Sequence, residues 1–396
     1  MSIKMKKFSI FAVLLGVLVI AAQCGVAQRQ QAVQGSQQIE TQVEKPATAE
    51  EDNRAQHNEA VHDEQEHDHP EEEHETDEVI ELSAVNLAGG KKLKVLATTN
   101  IVGDLVGNVG GDMIALTTML PVGADPHTFV PTPQDAAAIA DAHVVFMNGL
   151  NLEEFLEELI NNAGGEATAV AVATHVDTRE FEEMDAHGQG DEKGDGHEDR
   201  PADHSGRGED DHDDEHGVGP QGVDPHVWMT PTNAMVMVHN IEHALSELDP
   251  ANAASYEANA NAYEAQLQEL DAWVKTQVES IPAENRELVT DHDALGYYTS
   301  RYGLDVVGTV VPAYSTNAEP SARELAELQE TIQKFETKAV FVGTTVNPVL
   351  AAQVAEDTGI KLIPLYTGSL GQAGSGVETY VDLIRYNTTA IVTALK

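Results

Sequence analysis

The stretch Glu287-Leu288-Val289-Thr290-Asp291-His292-Asp293-Ala294-Leu295-Gly296-Tyr297-Tyr298 decides the fold. Residues 288–291 read as a short strand and 294–301 as a helix, with His292 at the seam. Downstream the alternation continues, with strands over 305–310, 339–343 and 361–365. Helices fall over 322–335, 348–358 and from about 377. Upstream, strands over 93–98, 115–120, 144–148 and 167–173 alternate with helices over 101–109, 133–142 and 152–163. This pattern predicts two α/β domains with mainly parallel sheets. Between them, Tyr256, Tyr263, Leu267, Leu270 and Trp273 recur at helical spacing with no strand beside them. A helix of about thirty residues spans about 45 Å at 1.5 Å per residue. Residues 250–282 are therefore read as a stiff connector between an N-terminal domain, 91–249, and a C-terminal domain, 283–396.

Ligands of open α/β sheets gather where strands deliver their C-terminal ends, which gives His292 weight. Two further histidines have stiff surroundings. Asp125-Pro126-His127 is followed by Thr132-Pro133, and Asp224-Pro225-His226 by Thr230-Pro231. Proline fixes its own φ and holds the residue before it extended, and Thr-Pro opens a helix. Asn347-Pro348 is a similar helix start, and Ser321 with Glu324 forms a capping box. Imidazoles delivered to loop ends by rigid flanks are how a metal site is assembled from remote segments. His127, His226 and His292 are the expected ligands. Asp125 and Asp224 are placed to accept the distal ring N–H and hold the tautomer. His239 and His243, spaced i, i+4, are read as a packed or solvated helix face, and His143 and His175 lack comparable flanks.

The 396 residues carry a net charge of -45. That balance argues against nucleic acid or an anionic lipid surface as a partner and makes cations the natural counter-species. Lys4, Lys6 and Lys7 precede an uncharged apolar run over 8–22, the pattern of an export signal over 1–24. The run falls short of the roughly 20 residues of a comfortable membrane span. Two processing outcomes stay open. Cys24 after Ala21-Ala22-Gln23 resembles a lipoprotein box, although Gln23 is not the small residue usual there, whereas Gly25-Val26-Ala27 offers ordinary cleavage after Ala27. Either places the protein outside the cytoplasm, periplasmic or at the cell surface, touching the membrane only through a lipid on Cys24. A single cysteine excludes an intrachain disulfide. Residues 25–90, with His57, His62, His67, His69 and His74 among carboxylates, read as a disordered tether. An insert over 177–222 repeats this chemistry with His187, His197, His204, His212 and His216. Both tracts have two readings, a solvated spacer or a low-affinity zinc collector.

Four ordered motifs carry a family resemblance. They are His127 with Pro131-Thr132-Pro133-Gln134-Asp135, Asp224-Pro225-His226-Val227-Trp228, His292-Asp293-Ala294-Leu295-Gly296-Tyr297-Tyr298 and Glu319-Pro320-Ser321. From about Lys92 to the C-terminus, the insert apart, the chain resembles the periplasmic zinc/manganese-binding receptors of ABC transporters. The resemblance implies two (β/α)4-like domains bridged by one long rigid helix, and a divalent ion held in the interdomain cleft by His127, His226 and His292. It also implies a monomer that delivers metal to a membrane permease and has no enzymatic activity; some members of the family act in surface adhesion. A fourth ligand in this family, where present, is an aspartate just before a Ser-Leu pair, and here Gly368 precedes Ser369-Leu370. Three imidazoles with one open position suit Zn2+ over Mn2+, which prefers oxygen-rich sites. Water, a histidine of the insert or a nearby carboxylate is left for the fourth position. A manganese receptor is the alternative. A secreted zinc hydrolase is the reading from another class; it needs a general base beside a metal-bound water, and no His-Glu-x-x-His helix is present.

Overall fold

Strands with unbroken apolar runs take the central places of their sheets, because helices cover both faces of a parallel sheet. A computed structural model describes residues 82–87, 89–179 and 222–396. In the first lobe β1 (Leu93–Ala97) and β3 (Val144–Met147) are central and almost wholly buried, flanked by β2 (Ile114–Thr118) and β4 (Thr168–Ala171) in the order β2-β1-β3-β4. The second lobe repeats the order as β6-β5-β7-β8, with β5 (Glu287–Thr290) and β7 (Ala339–Gly343) inside β6 (Asp305–Thr309) and β8 (Lys361–Leu365). Every pairing is parallel. In each sheet the chain turns outward in opposite directions from its two central strands, so a crevice opens at their C-terminal ends.

Helices α1 (Asn100–Gly110), α2 (Pro133–Asp141), α3 (Leu156–Ala163) and α4 (Pro231–Leu248) belong to the first lobe. Helices α6 (Gly296–Tyr302), α7 (Ala322–Phe335), α8 (Val349–Thr358) and α9 (Tyr380–Leu395) belong to the second. The connector is α5 (Ala253–Glu279), preceded by a separate 3-10 turn over Pro250–Asn252. Its buried stripe of Tyr256, Ala260, Tyr263, Leu267, Leu270, Val274 and Val278 follows the helical period. α5 packs against α1 and α4 of one lobe and against α6 and α9 of the other. Arg301 grips Asp271 with two 2.6 Å bonds, and Tyr302 donates to the same carboxylate at 2.7 Å, tying α6 to α5.

Several expectations need correcting. α3 starts at Leu156, four residues later than its sequence suggests; the residues before it form a turn in which buried Glu153 accepts from the N–H groups of Asn148 and Gly149. α9 starts at Tyr380, capped by Thr379, whose hydroxyl accepts Asp382 N–H at 3.2 Å. Pro348 is the cap of α8 rather than its first residue. The expected tether over 25–90 ends early: Val85 N–H donates to Leu248 O at 2.8 Å, and Leu82, Val85 and Leu87 pack on the core. The export signal, Cys24, the tether histidines and His187, His197, His204, His212 and His216 lie outside the described residues. Among the described residues no helix is long and apolar enough to cross a membrane.

Leu270 is wholly buried where α5 serves both lobes. Leu270→Ala is expected to cost about 2–5 kcal/mol, read by urea denaturation. Amide exchange should quicken in both sheets; exchange confined to one sheet would remove α5 as their shared support.

Candidate metal centre

Three loops leave the C-terminal ends of strands and converge on one point. The loop between β2 and α2 carries His127, the segment before α4 carries His226, and the turn between β5 and α6 carries His292. Each imidazole offers a nitrogen within 4.8 Å of the other two. His127 Nε2 and His226 Nε2 are 3.1 Å apart, and ring centroids lie 5.2–5.8 Å from one another. An ion with Zn–N bonds of about 2.0–2.1 Å in tetrahedral geometry spaces its nitrogens by roughly 3.3 Å. The 3.1 Å separation of His127 and His226 is close to that spacing, and the third nitrogen lies within 4.8 Å of both. His226 and His292 are 1% and 2% exposed, whereas His127 is half-buried at the mouth.

Each loop is held by specific bonds. Asp224 Oδ1 accepts both the backbone N–H of His226 and its ring Nδ1–H at 2.9 Å, which turns Nε2 toward the centre with its lone pair free. Asn148 Nδ2 donates to Pro225 O at 3.0 Å, steadying the same loop from the end of β3. Buried Glu153 in turn accepts from Thr98 Oγ1 and from the N–H groups of Asn148 and Gly149. Asp125 departs from expectation. Its Oδ1 accepts the His127 backbone N–H at 3.0 Å, and its Oδ2 accepts Thr316 Oγ1–H from the other lobe at 2.6 Å, so it fixes the loop rather than the ring. His292 is served instead by Asp291, whose Oδ1 lies 3.1 Å from Nδ1, out of line for a straight hydrogen bond. Asp291 Oδ2 accepts Gly343 N–H at 2.9 Å, anchoring it to β7.

These surroundings separate the three rings electrostatically. Burial, then the neighbouring His226 and His292, push His127 down to about 3. Burial and His292 hold His226 well below the ordinary range. Burial opposes charge on His292 too, but the Asp291 carboxylate overcomes it and raises His292. Burial pushes Asp224 up to about 7 against the pull of its bond from His226 and of Arg179. Burial and Asp224 bring Asp293 to about 6.

The two lobes are stitched around the centre. Trp228 Nε1–H donates to Thr367 O at 2.8 Å and Tyr380 O–H to Trp228 O at 2.7 Å. Asn100 Nδ2 and Gly123 N–H both donate to Ser369 Oγ, at 2.9 and 2.7 Å. Gly368 sits beside this stitch. A Cβ there would come within 3.1 Å of Pro126 Cδ and Thr345 Oγ1, so the glycine lets the loop run close to the Asp-Pro-His turn. His239 and His243 are exposed on α4, as a solvated face requires. Sequence reasoning missed Asp291, Asn148 and Glu153. For Asp291 a signal existed in the Asp-His-Asp triplet; Asn148 and Glu153 act through contacts distant in sequence.

Residues 95–394 match the family described as ZnuA, zinc-uptake complex component A, periplasmic. The chain belongs to this family. Its relatives include the manganese-binding lipoprotein MntA of Halalkalibacterium halodurans, 32% identical over 307 residues, covering 77% of this chain and 89% of the relative. The manganese ABC transporter substrate-binding lipoprotein PsaA of Streptococcus pneumoniae is 28% identical over 313 residues, 77% of this chain and 90% of the relative. Among solved structures, the Mn-bound periplasmic metal-binding protein of Candidatus Liberibacter asiaticus superposes with a TM-score of 0.63 at 27% identity, covering 77% of this chain and all of that one. The periplasmic zinc-binding protein TroA of Treponema pallidum gives 0.62 at 26% identity, covering 77% and 99%. The chain is thus an extracytoplasmic metal-binding receptor component of an ABC metal importer, with the two-lobed parallel α/β fold of its relatives.

Imidazole NMR of the metal-free protein should show His292 protonating above the ordinary value of about 6.5, while His127 and His226 stay neutral at pH 5. Asp291→Asn should lower the His292 midpoint. A first proton on His127 or His226 would contradict this order.

Proposed function

We propose that this receptor captures Zn2+ in the cleft through His127, His226 and His292 and hands it, as a monomer, to the membrane permease of its importer. The observation that carries the reading is the donor set: three buried or half-buried imidazoles from both lobes meet around one point. Imidazole suits Zn2+, whereas Mn2+ prefers carboxylate, carbonyl and water oxygens. Three protein nitrogens leave one position for a water or another donor. Hydrolysis is not proposed, because the family consists of receptors. A manganese receptor is the second reading, favoured by relatives named for manganese.

Capture follows from the states of the rings. His127 and His226 are held toward their neutral forms and His292 toward its protonated one, so an incoming ion competes with protons chiefly at His292. Metal affinity therefore falls with falling pH as His292 protonates, and later as the other two charge. The lobes share α5 and are joined by hydrogen bonds from Asn100, Gly123 and Trp228. Capture and release are therefore assigned to local movement of the Asp-Pro-His loops rather than wide hinge closure. A lipid on Cys24 would keep the receptor near the permease. The histidines of the acidic insert and tether are read as weak zinc contacts that raise the local metal concentration.

Alanine at His127, His226 or His292 should weaken zinc binding by more than the roughly 10–100-fold typical when a ligand-orienting partner is lost. Chelator competition reads this, and unchanged affinity for any one variant would remove that residue from the site. Equal occupancy by Zn2+ and Mn2+ in a mixture of both at equal concentration would favour the second reading over the first.

Deleting residues 181–221 should leave one tight zinc equivalent and lower the number of weak ones in a calorimetric titration. Loss of the tight equivalent would place a primary ligand in the insert.

A further inference from the structure

Arg179 lies on the stem where the acidic insert leaves the first lobe, and its side chain turns back under the metal centre. We propose that Arg179 is a positioning residue for that centre: its guanidinium holds the free oxygen of Asp224, and so fixes the carboxylate that orients His226. The proposal rests on the reading of His226 as a metal ligand.

The Asp224 side chain is completely buried, and its Oδ1 is committed to the backbone and the ring of His226. Oδ2 is buried without a hydrogen bond and lies 3.6 Å from Arg179 Nη1, which is likewise buried and has no hydrogen-bond partner among the described residues. Removing one member of a buried pair leaves the other uncompensated. A carboxylate with one bare oxygen is then free to rotate and to release the imidazole it steers.

The surrounding geometry delivers the guanidinium to this place. Arg179 O accepts Asp224 N–H at 2.8 Å, clasping the two ends of the insert together. Tyr297 O–H donates to Asp224 O at 2.8 Å and accepts Arg179 N–H at 3.1 Å, bridging both strands of the stem from the other lobe. The Arg179 guanidinium carbon lies 5.8 Å from the Tyr297 ring centroid, within cation–π range. Gly296 provides the notch: a Cβ there would fall 1.5 Å from Arg179 Nη1, so a side chain at 296 and the guanidinium cannot share the space. One arginine thus joins the base of the insert, α6 of the second lobe and the carboxylate behind His226. It also sets the boundary for removing the insert, since an excision beginning at 177 takes Arg179 with it.

The test compares two variants in the full chain. Arg179→Met keeps much of the side-chain length without the charge, and Arg179→Lys keeps the charge. By chelator competition, Arg179→Met should weaken the tight zinc site about 10–100-fold, the range for losing a ligand-orienting partner, and Arg179→Lys distinctly less. Imidazole 15N NMR of the metal-free protein should show His226 as the single Nδ1–H tautomer in the wild type and as a mixture in Arg179→Met. Wild-type affinity in Arg179→Met, equal losses in both variants, or an unchanged tautomer would each overturn the proposal. The reading of His226 as a ligand fails separately, if His226→Ala binds zinc as the wild type does; the tautomer measurement still decides the role of Arg179.

Discussion

An imidazole donates to a metal through a near nitrogen whose lone pair is free, and a partner on its far nitrogen fixes the ring's tautomer and orientation. Much of this protein's architecture follows from that constraint. Asp224 and Asp291 serve the far nitrogens of His226 and His292, and they do so unequally. Asp224 is pushed toward its neutral form by burial and leaves His226 uncharged, whereas Asp291 stays ionised and favours a proton on His292. Burial chiefly, and the neighbouring imidazoles after it, disfavour protonation of His127 and His226. The metal-free cluster is therefore arranged so that a cation competes mainly with a single proton, although three basic rings lie together.

The constraint also explains the division of the chain into lobes. His127 and His226 come from the first sheet and His292 from the second, so the cluster exists only while the lobes hold their register. α5 supplies that register through a continuous buried stripe, and the bonds from Asn100, Gly123, Trp228 and Thr316 add it locally. Capture of an ion does not require the lobes to find each other. The flexible degrees of freedom that remain are loops, of which the half-buried His127 turn is the outermost of the three.

The sequence disclosed the fold where local signals stood beside tertiary ones. β7, β8 and α7 were legible to the residue, because Ser321 with Glu324, Gly343 and Gly359 mark their ends and apolar runs fill their interiors. α3 was misread because Glu153, helical by propensity, spends its carboxylate on the N–H groups of Asn148 and Gly149. The site shows the same division more sharply. Two identical Asp-Pro-His tripeptides suggested identical roles for Asp125 and Asp224, and the backbone contact is indeed the same in both. Their second contacts differ: Thr316 from the other lobe donates to the outer oxygen of Asp125, whereas Asp224 bonds the His226 ring through Oδ1 and has the Arg179 guanidinium 3.6 Å from Oδ2. Asp291 escaped notice because neighbours along a strand face opposite sides. The strand ends at Thr290, and the turn after it lets Asp291 and His292 meet.

Metal choice is the property that overall similarity decides least. Relatives about 30% identical share the backbone, yet selectivity among divalent ions depends on a handful of donor atoms, their hardness and their geometry. Here the C-terminal loop brings Gly368 close to Pro126 of the Asp-Pro-His turn and to Thr345. A Cβ added there would come within 3.1 Å of Pro126 Cδ and Thr345 Oγ1, so those neighbours would have to give by a few tenths of an ångström. The nitrogen character of the three rings and the close packing of this loop are features of one arrangement.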